Sequence, residues 1–464
     1  MKPIVLAVVG GALFALSLPP YNVEWLSWFA ITCLLLGAHR CHPLRALELG
    51  MLASGVCGVI HVRWLPEAGV LSAYTPFLWV MLLFGAVATV ATIARRGHTS
   101  WSSGPRWVLL VASVGVSVEW LTTFSPLPLH IALCQHKSWL IQIASLTGIW
   151  GVSFLLWWTN AALADAVLQR RLLTTSMGTT LALLALTIVY SGASQVSYDA
   201  AHLPPTEPDF ALVRVAAIQD MGDGKTRREL TRRAAANGAQ LVVWPEYCLG
   251  KSFQPDNPHD PTLTLARKLK IYLVAGYIQV GQPKPHNCAA LIGPDGKVKG
   301  VHRKIHLYSE ERHVVQRGDE ATAFDTALGK IGMEICFDNC FTGVTRRMAQ
   351  SGAHLITLPT ADPLVTRNIL HHLHAAVLPF RAVENHVPFV QANTYGLSQI
   401  VDATGRITAR APMAKADVLM GDVILGDGQG TFFTRWGDWL AYGCLLIVAW
   451  SSVSMMRQER TEGR

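Results

Sequence analysis

Gly332-Met333-Glu334-Ile335-Cys336-Phe337-Asp338 is the stretch on which the reading of this chain turns. The run before it, Ala327 to Ile335, reads as a strand, which puts Cys336 at a strand end. Strand ends that feed sharp turns are where α/β proteins display reactive groups. A lone cysteine in such a place is most often a small buried hydrophobe. Two upstream segments change that reading. Leu241-Val242-Val243-Trp244-Pro245-Glu246 ends on an acid, and Val301-His302-Arg303-Lys304-Ile305-His306-Leu307 carries a lysine. A base, a cation and a thiol on successive elements are the components of covalent acyl chemistry. Glu246 can take the thiol proton and hand it to a leaving group. Lys304 can stabilise an oxyanion and favour the thiolate. This scheme requires no histidine.

Around this stretch the composition is that of a membrane protein. Of 464 residues, 51% are hydrophobic and only 15% charged, against about 25% charged in soluble domains; the mean hydropathy is +0.30. Apolar runs lie at Ile4–Pro19, Trp25–Ala38, Leu47–Val62, Pro76–Ala94, Trp107–Leu121, Leu140–Leu168, Thr174–Tyr190 and Trp439–Met455. Most approach the roughly 20 residues needed to span a bilayer, and the shorter ones leave the count open by about one helix. The first run lacks a small-residue cleavage pattern and reads as an uncleaved helix. Basic loops alternate with poorly charged ones. His39-Arg40-Cys41-His42-Pro43-Leu44-Arg45, Arg95-Arg96-Gly97 with Arg106, Gln169-Arg170-Arg171 and the tail from Arg457 are basic; Pro19–Glu24, Arg63–Tyr74 and Thr122–Ser138 carry few cations. The positive-inside rule then places both termini in the cytoplasm and the stretch between the last two runs outside, in the periplasm of a Gram-negative cell.

The expected organisation is therefore a transmembrane domain of about seven helices over 1–195, a periplasmic catalytic domain over 209–427, a last transmembrane helix over 436–457 and a cytoplasmic tail over 458–464. The net charge of +8 lies largely in the short loops, which makes it a topology signal. With no zinc-finger or basic-helix motif, no nucleic-acid partner is expected. Nine scattered cysteines imply no disulfide framework. Glu119 interrupts an apolar run, so it is either a paired or functional intramembrane acid or a helix-end group facing water.

From about Asp209 to Asp427 short β-rich runs alternate with helical ones. Strands are expected at Ala211–Gln219, Leu241–Trp244, Tyr272–Gln279, Ala289–Gly293, Lys330–Cys336, Leu355–Pro359, Phe389–Ala392, Ser398–Val401 and Asp417–Ile424. Helices are expected at Thr226–Ala236, Pro261–Leu269, Thr342–Ser351 and His371–Glu384. Two sheets with outer helices account for this mixture.

The segments ending at Glu246, around Lys304 and at Cys336 together resemble the nitrilase (carbon–nitrogen hydrolase) superfamily, in order and approximate spacing. The resemblance implies an αββα sandwich with a Glu, Lys, Cys catalytic set. Leu18-Pro19-Pro20-Tyr21-Asn22-Val23, Glu119-Trp120-Leu121, Gly148 to Asn160 and Arg435-Trp436-Gly437-Asp438-Trp439 are similar to the apolipoprotein N-acyltransferase branch. That branch implies a bacterial inner-membrane enzyme whose thiolate takes an acyl chain from a phospholipid and passes it to the α-amine of a diacylated lipoprotein. The same resemblance suggests Glu311, with Glu310 as the other choice, for a second catalytic glutamate. It also suggests Asn287, Phe337, Asp338, Arg381 and Glu384 for substrate binding. No cofactor is implied.

The chain departs from this branch in three places. Phe337-Asp338 stands where N-acyltransferases usually carry Tyr-Glu, and aspartate there is commoner in soluble amidases. Leu358-Pro359-Thr360-Ala361-Asp362-Pro363 replaces a Ser-Asn-Asp-Ala-Trp-Phe loop. The tryptophan expected after the first strand of the domain is absent from Gln219 to Lys225. The alternative reading is a membrane-tethered amidase, or an acyltransferase with another acceptor such as one associated with conjugation. Cys336 and Cys340 with His371, His372 and His374 fit no standard zinc spacing, so no metal is expected.

Overall fold

The computed structural model describes residues 2–62, 70–97, 99–125, 128–201, 212–308, 311–362 and 369–461. Of the sequence features above, the loop at 63–69, Glu310, Pro363 and the last residues of the tail, 462–464, lie outside them. The chain divides into two units, one built from Met1–Gly192 and Asp438–Arg464, the other from Ala193–Thr366 and Leu370–Gly437.

The first unit is helical. Each apolar run falls on a helix: Lys2–Ser17, Ala30–Ala38, Pro43–Val62, Val70–Arg96, Gly104–Thr122, Ile149–Gln169, Thr175–Ala201 and Trp439–Thr461. Among the described residues four helices are long and apolar enough to cross a membrane: Pro43–His61, Ile149–Gln169, Thr175–Asp199 and Trp439–Gln458. Their apolar residues are not all packed inward. Leu186, Val189 and Leu446 are 67%, 69% and 72% exposed, as expected for side chains that meet lipid rather than water. The expected single run Leu140–Leu168 is broken. A 3₁₀ turn at Trp139–Ile143 and a short turn at Ala144–Thr147 precede Gly148, whose φ of 67° ends the helical path before Ile149–Gln169 begins. The run at Trp25–Ala38 likewise starts as a 3₁₀ turn, Glu24–Trp28.

Glu119 faces the protein interior, so the water-facing alternative falls. It is buried, and its two oxygens accept from Trp157 Nε1 and Ser153 Oγ, each at 2.6 Å. A carboxylate in an apolar helical unit needs such donors.

The second unit holds twelve strands among the described residues: β1 Leu212–Gln219, β2 Leu241–Val243, β3 Tyr272–Gln279, β4 His286–Ile292, β5 Val298–Arg303, β6 Phe324–Thr326, β7 Gly329–Met333, β8 Leu355–Thr360, β9 Phe389–Asn393, β10 Gln399–Val401, β11 Ile407–Arg410 and β12 Asp417–Ile424. They form two six-stranded sheets, ordered β12-β1-β2-β3-β4-β5 and β11-β10-β9-β8-β7-β6. In each, a parallel trio (β1, β2, β3 and β7, β8, β9) is flanked by antiparallel strands.

The strand pattern of period two sorts side chains into layers. Val213, Val215, Leu241 and Val243 from one sheet meet Ile331, Met333, Ile335 and Val390 from the other in a shared core. The alternate residues Ile218 and Val242 pack on Leu263 and Ala266 of the helix Pro261–Leu269. On the far side, Ile356 and Leu358 pack on Val344 and Met348 of Thr342–Gln350 and on Leu378 of Ile369–Asn385. This is the αββα sandwich.

Three strands escaped the sequence reading: β5, β6 and β11. Each carries partly exposed positions where alternation should show, and β5, β6 and β11 are all sheet edges. The strand expected to reach Cys336 stops at Met333.

Glu119→Leu should lower the stability of the detergent-solubilised protein by about 3 kcal/mol, because Trp157 Nε1 and Ser153 Oγ lose a charged acceptor; Glu119→Gln should lose less. Thermal unfolding of the three proteins in one detergent checks this, and equal melting of all three would remove the role.

Candidate active site

The site assembles at the C-terminal ends of the parallel strands, where both sheets turn into loops. Glu246 lies just past β2. The turn carrying it is close-packed: Tyr247 has φ 59°, and a Cβ on Gly276 of β3 would come within 2.6 Å of Glu246 Cα. Glycine at 276 therefore lets the strand pass behind the acid. Lys304 follows β5, and its backbone N–H donates to Asn287 O on β4 at 2.8 Å.

Lys304 Nζ donates to Glu246 Oε1 at 2.8 Å and to Glu311 Oε2 at 2.7 Å. Asn287 Nδ2 donates to the same two acids, to Glu246 Oε1 at 2.6 Å and Glu311 Oε1 at 2.9 Å. Glu246 Oε2 accepts from Ala361 N at 3.0 Å, on the segment after β8. Glu311 also accepts from Tyr247 Oη and, at 2.8 Å, from Tyr308 N. Four residues singled out in the sequence thus share one buried network. Tyr247 and the Ala361 N–H complete it, and no sequence signal pointed to either.

Cys336 opens a 3₁₀ turn, Cys336–Cys340, with φ 46°. A β-substituted residue held in the left-handed region is strained, and such strain clusters at reactive positions. Asp338 holds the turn. It is fully buried; Oδ1 accepts from Ile305 N at 3.1 Å and His306 N at 2.7 Å, and Oδ2 accepts from Ile335 N at 3.2 Å with His302 Nε2 at 3.1 Å. One carboxylate therefore ties the turn bearing the thiol to the segment bearing Lys304. Phe337 is buried edge-on to Tyr308 and Phe341, with ring centroids 5.5 and 5.2 Å apart. Arg381 and Glu384 stand apart from the network, as a fully buried pair with Nη2 2.9 Å from Oε1.

The electrostatics follow from burial and charge. Burial alone would lower the Lys304 ammonium, but Glu246, Cys336 and Glu311 reverse this and hold it well above the ordinary lysine range. Burial raises Glu246, with Glu311 adding to it and Lys304 opposing. Glu311 is lowered: burial is outweighed by Lys304 and by its hydrogen bonds. Burial and then Glu246 push the Cys336 thiol up, with Lys304 opposing. The resting sulfur is therefore a thiol beside a base of raised affinity for protons. That arrangement suits proton transfer during attack, not a preformed thiolate.

Residues 215–431 match the carbon–nitrogen hydrolase family, and residues 10–162 match the apolipoprotein N-acyltransferase N-terminal domain. An apolipoprotein N-acyltransferase of Geobacter metallireducens is 30% identical over 506 residues, covering 95% of this chain and 92% of that one. The chain belongs to the apolipoprotein N-acyltransferase family. A second such protein, from Treponema denticola, is 24% identical over 96% of this chain and 94% of its own. The sandwich alone is also similar to an omega-amidase of Saccharomyces cerevisiae, 30% identical over 43% of this chain and 83% of that protein. Membership makes the chain an N-acyltransferase built on a carbon–nitrogen hydrolase domain with apolar helices that suit a membrane.

Asp338→Ala should cost about 3 kcal/mol of stability, since the N–H groups of Ile305, His306 and Ile335 and the ring of His302 lose their acceptor. The Asp338 carboxyl sits below the usual carboxylate range: burial would raise it, but His302 and the His306 N–H outweigh that. Its stabilisation is therefore complete above the ordinary aspartate pKa, about 3.9, and is lost as pH falls through the depressed folded value. Asp338→Asn should flatten this acid limb of a stability-against-pH curve, and an unaltered limb would show that the carboxylate contributes nothing there.

Proposed function

We propose that this enzyme moves an acyl chain from a phospholipid to the N-terminal amine of a diacylated lipoprotein through a Cys336 thioester. As Cys336 Sγ attacks the ester carbonyl, Glu246 takes the thiol proton and Lys304 stabilises the oxyanion. The ester C–O bond breaks, Glu246 returns the proton to the leaving alkoxide, and a lysophospholipid departs. The lipoprotein α-amine then attacks the thioester; Glu246 takes its proton and passes it to the departing sulfur. Glu311 and Asn287 hold Lys304 and Glu246 in place. Phe337, Asp338, Arg381 and Glu384, which the resemblance suggests for substrate binding, are read here as positioning residues, because each is buried against protein groups.

The observation that carries this reading is the match to one N-acyltransferase across both the helices and the sandwich, in a chain whose Glu246 and Lys304 are joined at 2.8 Å. Both substrates carry lipid chains, in keeping with the apolar helices of this chain. In this reading the sandwich lies on the periplasmic side of a bacterial inner membrane. Asp338 and the segment after β8 favour a second reading, an amidase-like hydrolysis or another amine acceptor.

Purified enzyme with labelled phosphatidylethanolamine, with and without a diacylated lipopeptide, separates the two. Label should pass to the lipopeptide amine; release of free fatty acid with no dependence on lipopeptide would contradict the proposal. Cys336→Ala should form no acyl adduct, and Glu246→Gln should slow its formation about 100-fold or more. A normal rate in either variant would remove that residue from the mechanism.

A further inference from the structure

A second cluster faces the same thiol. Cys336 Sγ, a ring nitrogen of His374 and a carboxylate oxygen of Asp362 lie within 4.8 Å of one another. They come from three elements: the turn after β7, the segment after β8 and the helix Ile369–Asn385. The His374 ring is fixed at both ends. Nε2 lies 3.1 Å from Cys336 O and 2.9 Å from Asn339 Oδ1, and Nδ1 lies 3.1 Å from Asp362 Oδ1. Asp362 Oδ2 accepts from Asn393 Nδ2 at 2.6 Å. His371 is buried with Nδ1 3.4 Å from Asp362 Oδ2, and neither of its ring nitrogens makes a hydrogen bond among the described residues.

Thiolate, imidazole and carboxylate are the donors of a zinc-class cation. Two donors held at about 2.0 Å in a tetrahedral shell lie roughly 3.3 Å apart, close to the 3.1 Å between His374 Nδ1 and Asp362 Oδ1. The supporting contacts also fit. A metal-bound histidine commonly donates its other N–H to a backbone carbonyl, and a ligating carboxylate is itself hydrogen-bonded. Cys336 O and Asn393 Nδ2 supply these two contacts. A sulfur donor disfavours magnesium and calcium, which take oxygen shells.

We propose that Cys336, His374 and Asp362 form a site for a divalent zinc-class cation, which holds the nucleophile as a metal thiolate and reversibly blocks it. Both His374 nitrogens lie beside oxygen acceptors, and Nδ1 must be free of a proton to ligate. On binding, the Cys336 thiol proton and any proton on His374 Nδ1 leave to solvent, and their electron pairs go to the metal. Cys336 and Asp362 then balance the two positive charges, and water takes the fourth position. The ligands are too dispersed in the chain for a spacing motif to reveal them. The inference does not depend on the acyl acceptor, and its test reads metal occupancy rather than transfer.

The test uses the full-length protein in detergent, stripped with EDTA and titrated with zinc chloride. Bound zinc is measured per chain, and Cys336 alkylation by iodoacetamide is followed by peptide mass spectrometry. One zinc per chain should slow Cys336 alkylation at least about tenfold, and EDTA should restore it. His374→Gln and Asp362→Asn should each raise the protecting zinc concentration at least about tenfold, while His259→Gln should not. Cobalt in the wild-type protein should give a thiolate-to-metal charge-transfer band, a readout that requires no variant. The absence of that band would overturn the proposal. So would zinc that leaves alkylation unchanged or protects both variants as it protects the wild type.

Discussion

The catalytic half of this protein depends on one buried cation. Lys304 Nζ lies between Glu246 and Glu311, at 2.8 and 2.7 Å. An ammonium with no partner at that depth would give up its proton. Two carboxylates keep it charged, and Asn287, Tyr247, Ala361 N and Tyr308 N occupy their remaining acceptor positions. The three charges sum to minus one, so a thiolate beside them is disfavoured until a proton moves. Glu246, raised by burial and next to the lysine, is the group placed to move it. In the proposed mechanism this one ion cluster sets the protonation state of the nucleophile and the identity of its base.

In the proposed mechanism the sandwich brings this cluster to a strained cysteine. Glu246 and Lys304 come from the first sheet, and Cys336 and Ala361 from the second. Two of the links between the sheets act at the site. Ala361 N holds Glu246, and Asp338 gathers N–H groups from both the Cys336 turn and the segment after Lys304. The φ of 46° at Cys336 persists because Asp338 and His374 fasten the turn on both sides. The same close approach of Asp362 and His374 that steadies the turn also surrounds the sulfur with metal-type donors.

Much of this was legible in the sequence, and the rest was hidden for physical reasons. β1 and β3 announce themselves because most of their residues are buried. β6 and β11 do not, because edge strands are half exposed and need no apolar pattern. Glu246 and Cys336 lie just past strands that local composition marks, whereas Lys304 follows β5, which it does not; a family resemblance joins the three. The family resemblance suggests Asp338 for substrate binding; the structure turns its carboxylate inward, onto backbone N–H groups. Tyr247 and His374 enter the site through long-range packing, which no spacing rule encodes. Glu119 was open between two surroundings because a position near a helix end does not reveal which neighbours will supply donors. Gly148 breaks a continuous apolar run through its backbone conformation alone, which hydropathy does not register.

In the proposed mechanism the charge on Lys304 makes Cys336 a usable nucleophile. The most direct test is the rate at which Cys336 in Lys304→Met takes up an acyl chain from phosphatidylethanolamine, followed by intact mass in detergent, with thermal unfolding showing that the variant is folded. The rate should fall about 100-fold or more, as for loss of an oxyanion-stabilising group. A folded variant that acylates at the wild-type rate would contradict it.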